Sequence, residues 1–230
     1  MREVGDAPRG VSDVVARLRE IDAALPPDDG VACFNRMYLT VTELVRDRMT
    51  EGFFANADAM NALDVTFADL YLAAVAADET GQPVPEAWAP LFARRSDPEV
   101  ASIQFAVAGM NAHINHDLAV AVVTTCQDRG TTPRKGTFHA DYLRVNTLLA
   151  AVLQQVRESY LSGVALDADR DAAPVLNHLG SWSIDRARDA AWVNADVLWR
   201  LRSLGLARAA FEGSLAGSVG LVTATLLAHV

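Results

Sequence analysis

Apolar residues recur at intervals of three and four along most of this chain, and the two-residue alternation of strands is almost absent. The pattern predicts an all-α protein. Ser12 caps a first helix whose stripe runs through Val14, Val15, Leu18, Ile21 and Leu25, ended by Pro26-Pro27-Asp28-Asp29-Gly30. A second helix covers about Phe34 to Met49. A third runs from about Asp58 to Asp78, with Met60, Leu63, Phe67, Leu70, Tyr71 and Ala74 on one stripe. After Gly81-Gln82-Pro83, Pro85 opens a short helix with Trp88, Leu91 and Phe92. The next helix spans about Asp97 to Cys126. A polar loop from Gly130 to Thr137 follows, lacking the Gly-Lys-Ser/Thr ending of a phosphate loop. Further helices are expected over His139 to Val164, Ser183 to Leu204 and Ala207 to Ala228, with a short segment through Leu179 between the first two.

These breaks give a single-domain helical bundle of about seven to nine helices over residues 1–230, with 1–30 as a peripheral N-terminal helix. The last segment has no charged residue from Gly213 to Val230, yet its Ser, Thr and Gly content fits a buried terminal helix better than a membrane span.

Composition narrows the function classes. A hydrophobic fraction of 51% supplies a core, and a net charge of −9 argues against a nucleic-acid surface. Cys33 and Cys126, far apart, read as free buried thiols. The first eight residues hold no apolar signal core, so a cytoplasmic location is expected.

Candidate chemistry concentrates in Gly109-Met110-Asn111-Ala112-His113-Ile114-Asn115-His116-Asp117-Leu118. Polar groups on a core-facing helix are costly unless paired or functional. At about 100° per residue, Ile103, Val107, Met110, Ile114, Leu118 and Ala121 form the buried stripe. His113 and Asp117, four apart, share one rim of it. Asn111 and Asn115 share the other, and His116 points towards solvent. The pair is either a satisfied structural element, two ligands of a divalent metal (Zn, Mn or Fe), or a base and its orienting group. Asp64 and Asp141 are candidates to complete a metal set. Asn146 flanks the stripe of its own helix. On the helix after Ser183, Asp185, Arg188, Trp192 and Trp199 share a face. There Asp185 and Arg188 should pair with each other or with the helix of His113. Trp192 and Trp199 would wall a pocket, and Arg188 would face an anionic or carbonyl group. No Glu-x-x-His, His-Glu-x-x-His, Gly-x-Ser-x-Gly or Gly-x-Gly-x-x-Gly is present.

The run from Gly109 to Leu118 resembles the signature of an uncharacterised, mainly actinobacterial family. Asp141-Tyr142 with Val145-Asn146, and Ala187-Arg188 with Ala191-Trp192 and Leu198-Trp199, also look like that family. The resemblance implies an all-helical fold and no particular reaction. The expected function is a small enzyme with a bundle pocket around His113 and Asp117. In the first reading it is a metal-dependent hydrolase, with Arg188 assisting and Asn111, Asn115, Asn146, Trp192 and Trp199 contacting substrate. The alternatives are a metal-free acid–base cyclase or isomerase of natural-product type, and a non-enzymatic small-molecule-binding protein. The expected partner is a small molecule, with no nucleic acid, no stable membrane insertion and a possible homodimer.

Overall fold

A computed structural model describes residues 10–149 and 184–228. Within them the helices are α1 (Val11–Ala24), α2 (Gly30–Thr50), α3 (Ala57–Glu79), α4 (Ala89–Arg94), α5 (Ser102–Ala112), α6 (Leu118–Asp128), α7 (138–149), α8 (Ile184–Leu201) and α9 (Gly205–Leu226). A single π-helical turn, His113–Asp117, joins α5 to α6 without a break. No strand occurs among the described residues. The expected segment through Leu179, and residues 150–164 of the helix expected over His139 to Val164, lie outside them.

The α5–π–α6 rod is the axis of the bundle. Every residue from Ile103 to Ile114 is buried, as are His116 to Val123. A helix that is apolar around its whole circumference needs neighbours on all sides. α2 and α9 pack on α5, while α3 and α8 pack on α6. The single buried stripe expected from the sequence is therefore replaced by burial all round, because this helix is central.

Polar side chains set the ends of the surrounding helices. Asp29 caps α2 by accepting from the Val31 and Ala32 amides, and Arg95 donates to both Asp29 and Asp78, tying α2 to the end of α3. Asn56 caps α3 through the Ala59 amide at 3.0 Å. The first helix departs from expectation at its start. Gly10, not Ser12, is its N-cap, and the Val11 amide is satisfied by Asn61 Oδ1 at 3.0 Å instead. Val14, Val15, Leu18 and Ile21 are in the core and the Leu18 carbonyl accepts from Asn35, so α1 belongs to the bundle proper.

The C-terminal helix is a second correction. α9 docks through Val219, Gly220 and Thr223, with Gly220 against the Glu86 backbone, but its other face is open. Leu206 is 91% exposed and Leu221 71%. Small residues bring one side close and leave the rest unburied. α3 and α9 are long and apolar enough to cross a membrane by length and composition.

Close approach also governs the centre. A Cβ on Gly109 would lie 2.4 Å from the Phe34 ring, and one on Gly30 would lie 2.4 Å from Phe105. The two glycines let α2 and α5 cross with each helix's aromatic ring over the other's backbone. Gly109→Ala should lower stability by about 1–3 kcal/mol. In urea titrations the loss should be smaller when Gly109→Ala is combined with Phe34→Leu than the sum of the two single effects. Simple additivity would show that the Gly109–Phe34 contact does not limit helix approach.

Candidate functional site

The π turn decides the arrangement of the polar run. The Leu118 amide donates to the His113 carbonyl, five residues back, where an α-helix would use the residue four back. The wider turn advances each side chain by less than 100°, so His116 turns inward rather than to solvent. His113, His116 and Asp117 are all buried. His113 Nδ1 lies 3.0 Å from Asp117 Oδ2, and His116 Nδ1 lies 2.8 Å from Oδ1. Trp88, at the N-terminus of α4, donates its indole N–H to Oδ2 at 2.9 Å. Burial alone would raise the Asp117 pKa, but the hydrogen bonds from His113 and His116 outweigh it and hold the carboxyl below its ordinary value. Asp117 is thus a carboxylate. Its acceptance fixes the proton of His113 on Nδ1, an assignment made from the hydrogen-bond network.

Burial pushes the His113 pKa down, and the hydrogen bond and charge of Asp117 oppose this without overcoming it. The imidazole is neutral, with its lone pair on Nε2. That atom is buried and has no partner among the described residues. The ring lies parallel to Phe67, centroids 3.5 Å apart, and is met edge-on by Tyr38 and Phe34.

His113 belongs to the wall of a cavity of about 90 Å³. α2 supplies Phe34, Met37, Tyr38, Val41 and Val45, and α3 supplies Met60, Leu63, Asp64 and Phe67. The rod adds Met110, His113, Ile114 and Leu118, and α7 and α8 add Val145, Leu149, Ile184 and Arg188. Among the described residues only Tyr38, Asp64, His113 and Arg188 interrupt the apolar lining. Asp64 Oδ2 and the Tyr38 hydroxyl are, like His113 Nε2, buried without a partner among the described residues. Burial raises the Asp64 pKa to about 7 and pushes that of Tyr38 well above its usual value, so the phenol keeps its proton.

The other expected residues are engaged elsewhere. Asp141 accepts from the Ala55 and Asn56 amides at 2.9 and 2.8 Å, from Thr137 and from Arg144, so it clamps α7 to the start of α3. Among the described residues no three His, Cys, Asp or Glu side chains group closely enough to hold a metal ion. The set His113, Asp117, Asp141 and Asp64 does not fit one: both oxygens of Asp117 are taken and Asp141 is saturated. Asn111 donates to Val219 O and Thr223 Oγ1 of α9 and accepts from Asn115, so this pair ties helices together. Trp192 packs on His139 and Tyr142, and Trp199 lies under Arg202. Neither tryptophan is part of the cavity wall. Asp185 is exposed and does not pair with Arg188. That guanidinium binds Asn146 Oδ1 at 2.6 Å and the Tyr142 carbonyl at 2.7 Å, partners on α7 rather than on the rod.

A family model matches residues 11–229, nearly the whole chain. The chain belongs to DUF5995, a family of unknown function. No curated protein and no solved structure matches it. The DUF5995 match spans the run from Gly109 to Leu118 and all four polar residues of the cavity wall.

The aromatic surround of His113 in this DUF5995 protein was not singled out from its sequence. Phe34, Met37, Tyr38, Val41 and Val45 follow a three-and-four spacing on α2, which was a usable signal. Such spacing marks a buried face but does not show which helix it meets.

Two measurements test this geometry. Replacing Asp117 by Asn puts an amide N–H where three donors converge, and should cost about 3 kcal/mol in denaturant titrations. A cost below about 0.5 kcal/mol would mean that the three bonds are not formed together. Asp64 has its pKa raised from 3.8 to about 7 on folding. Between those values the unfolded chain releases a proton that the folded chain keeps, so stability falls as pH rises from about 4 to 7. Asp64→Asn should therefore be near neutral at pH 4 and stabilise by about 1–3 kcal/mol at pH 8. An equal effect at both pH values would place Asp64 in water.

Proposed function

We propose that this protein is an acid–base enzyme acting on a small, mainly apolar molecule, an isomerase or cyclase rather than a metal-dependent hydrolase. The observation that carries the reading is His113 Nε2, which is buried, unprotonated and unpartnered on a cavity wall, while Nδ1 is anchored on Asp117. A carboxylate behind an imidazole fixes its tautomer and stabilises the cation that forms when the far nitrogen takes a proton. Asp117 would be the orienting group and His113 the base.

Asp64 supplies the opposite half of the chemistry. Two titratable groups in one pocket with pKa values pushed in opposite directions suit an acid and a base. His113 stays neutral because burial lowers its pKa, and Asp64 holds a proton to about pH 7 because burial raises its own. A proton taken at His113 and another given at Asp64 would shift a double bond or close a ring without net consumption of water. The apolar wall excludes competing solvent. Among the described residues no third ligand joins His113 and Asp117, so the metal-dependent reading has less support.

The test is an untargeted one. A small-molecule extract is incubated with wild-type protein or His113→Gln, with and without EDTA, and compared by mass spectrometry. The wild type should convert a compound into a product of the same mass. His113→Gln should lose at least about 100-fold in rate, in line with the contribution of a positioned base. EDTA should have no effect. The rate should persist below pH 6.5, where a free imidazole is mostly protonated, because the folded His113 pKa is depressed, and should fall above about pH 7 as Asp64 loses its proton. Two products whose masses sum to that of the substrate plus one water would overturn the reading in favour of hydrolysis, and loss of turnover in EDTA would overturn it in favour of a metal-dependent reaction. A compound retained by the protein without conversion would make it a binding protein.

A further inference from the structure

Arg188 is the one buried arginine among the described residues, at 5% exposure. Its hydrogen-bonding partners among the described residues are neutral. Nε donates to Asn146 Oδ1 and Nη2 to the Tyr142 carbonyl, and the guanidinium carbon lies 4.2 Å from the centre of the Tyr142 ring. These contacts satisfy donors and hold the plane of the group, but they supply no negative charge. Among the described residues no carboxylate pairs with it. Among the described residues Asp185 and Asp189 are the acids whose charge acts on it, and both are exposed. Asp64 shares the cavity with Arg188, but no hydrogen bond or ion pair joins the two, and Asp64 Oδ2 has no partner among the described residues.

A buried cation without a counter-charge is expensive, and side chains stay so only where something else supplies the charge. Nη1 has no acceptor among the described residues, and the side chain is part of the cavity wall. A planar guanidinium fixed at two of its nitrogens presents a fork suited to a carboxylate. We propose that Arg188 anchors the carboxylate of the pocket's occupant, so that the ligand is a lipophilic carboxylic acid with its apolar body between Met37, Met60 and Val145. This rests on the reading of the cavity as a substrate site and specifies what enters it. Asn146 and Tyr142 are positioning residues, holding the guanidinium through their oxygens.

Matched probes separate charge from shape. Hexanoate, octanoate and their primary amides are titrated into the full-length protein at pH 8 by calorimetry, where both acids are ionised and the amides are not. Each acid should bind at least about tenfold more tightly than its amide. Arg188→Met and Arg188→Lys should shrink that ratio to about threefold or less while changing amide affinity little. Because Arg188→Met also removes the bonds to α7 and could unfold the chain, Arg188→Lys and the wild-type ratio decide the matter if it does. Equal binding of acid and amide by the wild type would overturn the anchor and leave the cavity reading standing. An acid preference that survives in Arg188→Lys and Arg188→Met would assign it to another cation and also overturn the proposal. Failure of all four probes to bind would overturn both the anchor and the cavity as a ligand site.

Discussion

A carboxylate buried in the middle of a helical bundle has to collect its hydrogen bonds from the protein, because isolating it from water costs tens of kcal/mol before compensation. Asp117 meets this demand with three N–H groups, two from its own helical turn and one from Trp88. Each bond constrains a different part of the molecule. Trp88 fixes the start of α4 against the rod, His116 is turned inward, and His113 is held flat against Phe67 with its far nitrogen uncommitted. The π turn permits this convergence, since both imidazoles reach one carboxylate from within a single turn.

Most other buried polar groups are consumed by the scaffold. Asp141 spans α3 and α7, Asn111 and Asn115 fasten α9, and Gln104 binds the carbonyls of Leu226 and Ala228 at the end of α9. Of the buried polar side-chain atoms left without a hydrogen-bond partner among the described residues, those of Tyr38, Asp64 and His113 share one cavity, while those of Asp22, Thr125 and Trp192 lie apart from it. Convergence of three such atoms on one cavity wall marks a candidate site more clearly than the mere presence of polar residues in the core.

The helices were legible because apolar periodicity and the Pro and Gly breaks are local signals, and the His113–Asp117 pair was legible because four-residue spacing is local too. Three features depended on information that spacing does not carry. A constant 100° step presumes a uniform helix, so it sent His116 to solvent and confined burial to one stripe. Asp141 finds its amide partners 86 and 85 residues away, which made it resemble a free acid. Arg188 and Asp185 have compatible phase, but α7 offers Arg188 two oxygens at shorter reach and Asp185 remains exposed. In each case a tertiary contact outcompeted a plausible local one.

A π turn amounts to one residue more than a regular helix requires, inserted where both flanking segments keep their own packing. Its presence makes chain length at this point a heritable variable. Deleting one residue between Ala112 and Leu118 would leave a continuous helix with Phe34 still over Gly109, yet would dissolve the meeting of two imidazoles on one carboxylate. Scaffold and chemistry can therefore part company in a single codon step. Among relatives of this chain, a gap of one residue at this turn would mark the lineages that kept the bundle and gave up the convergence of His113 and His116 on Asp117.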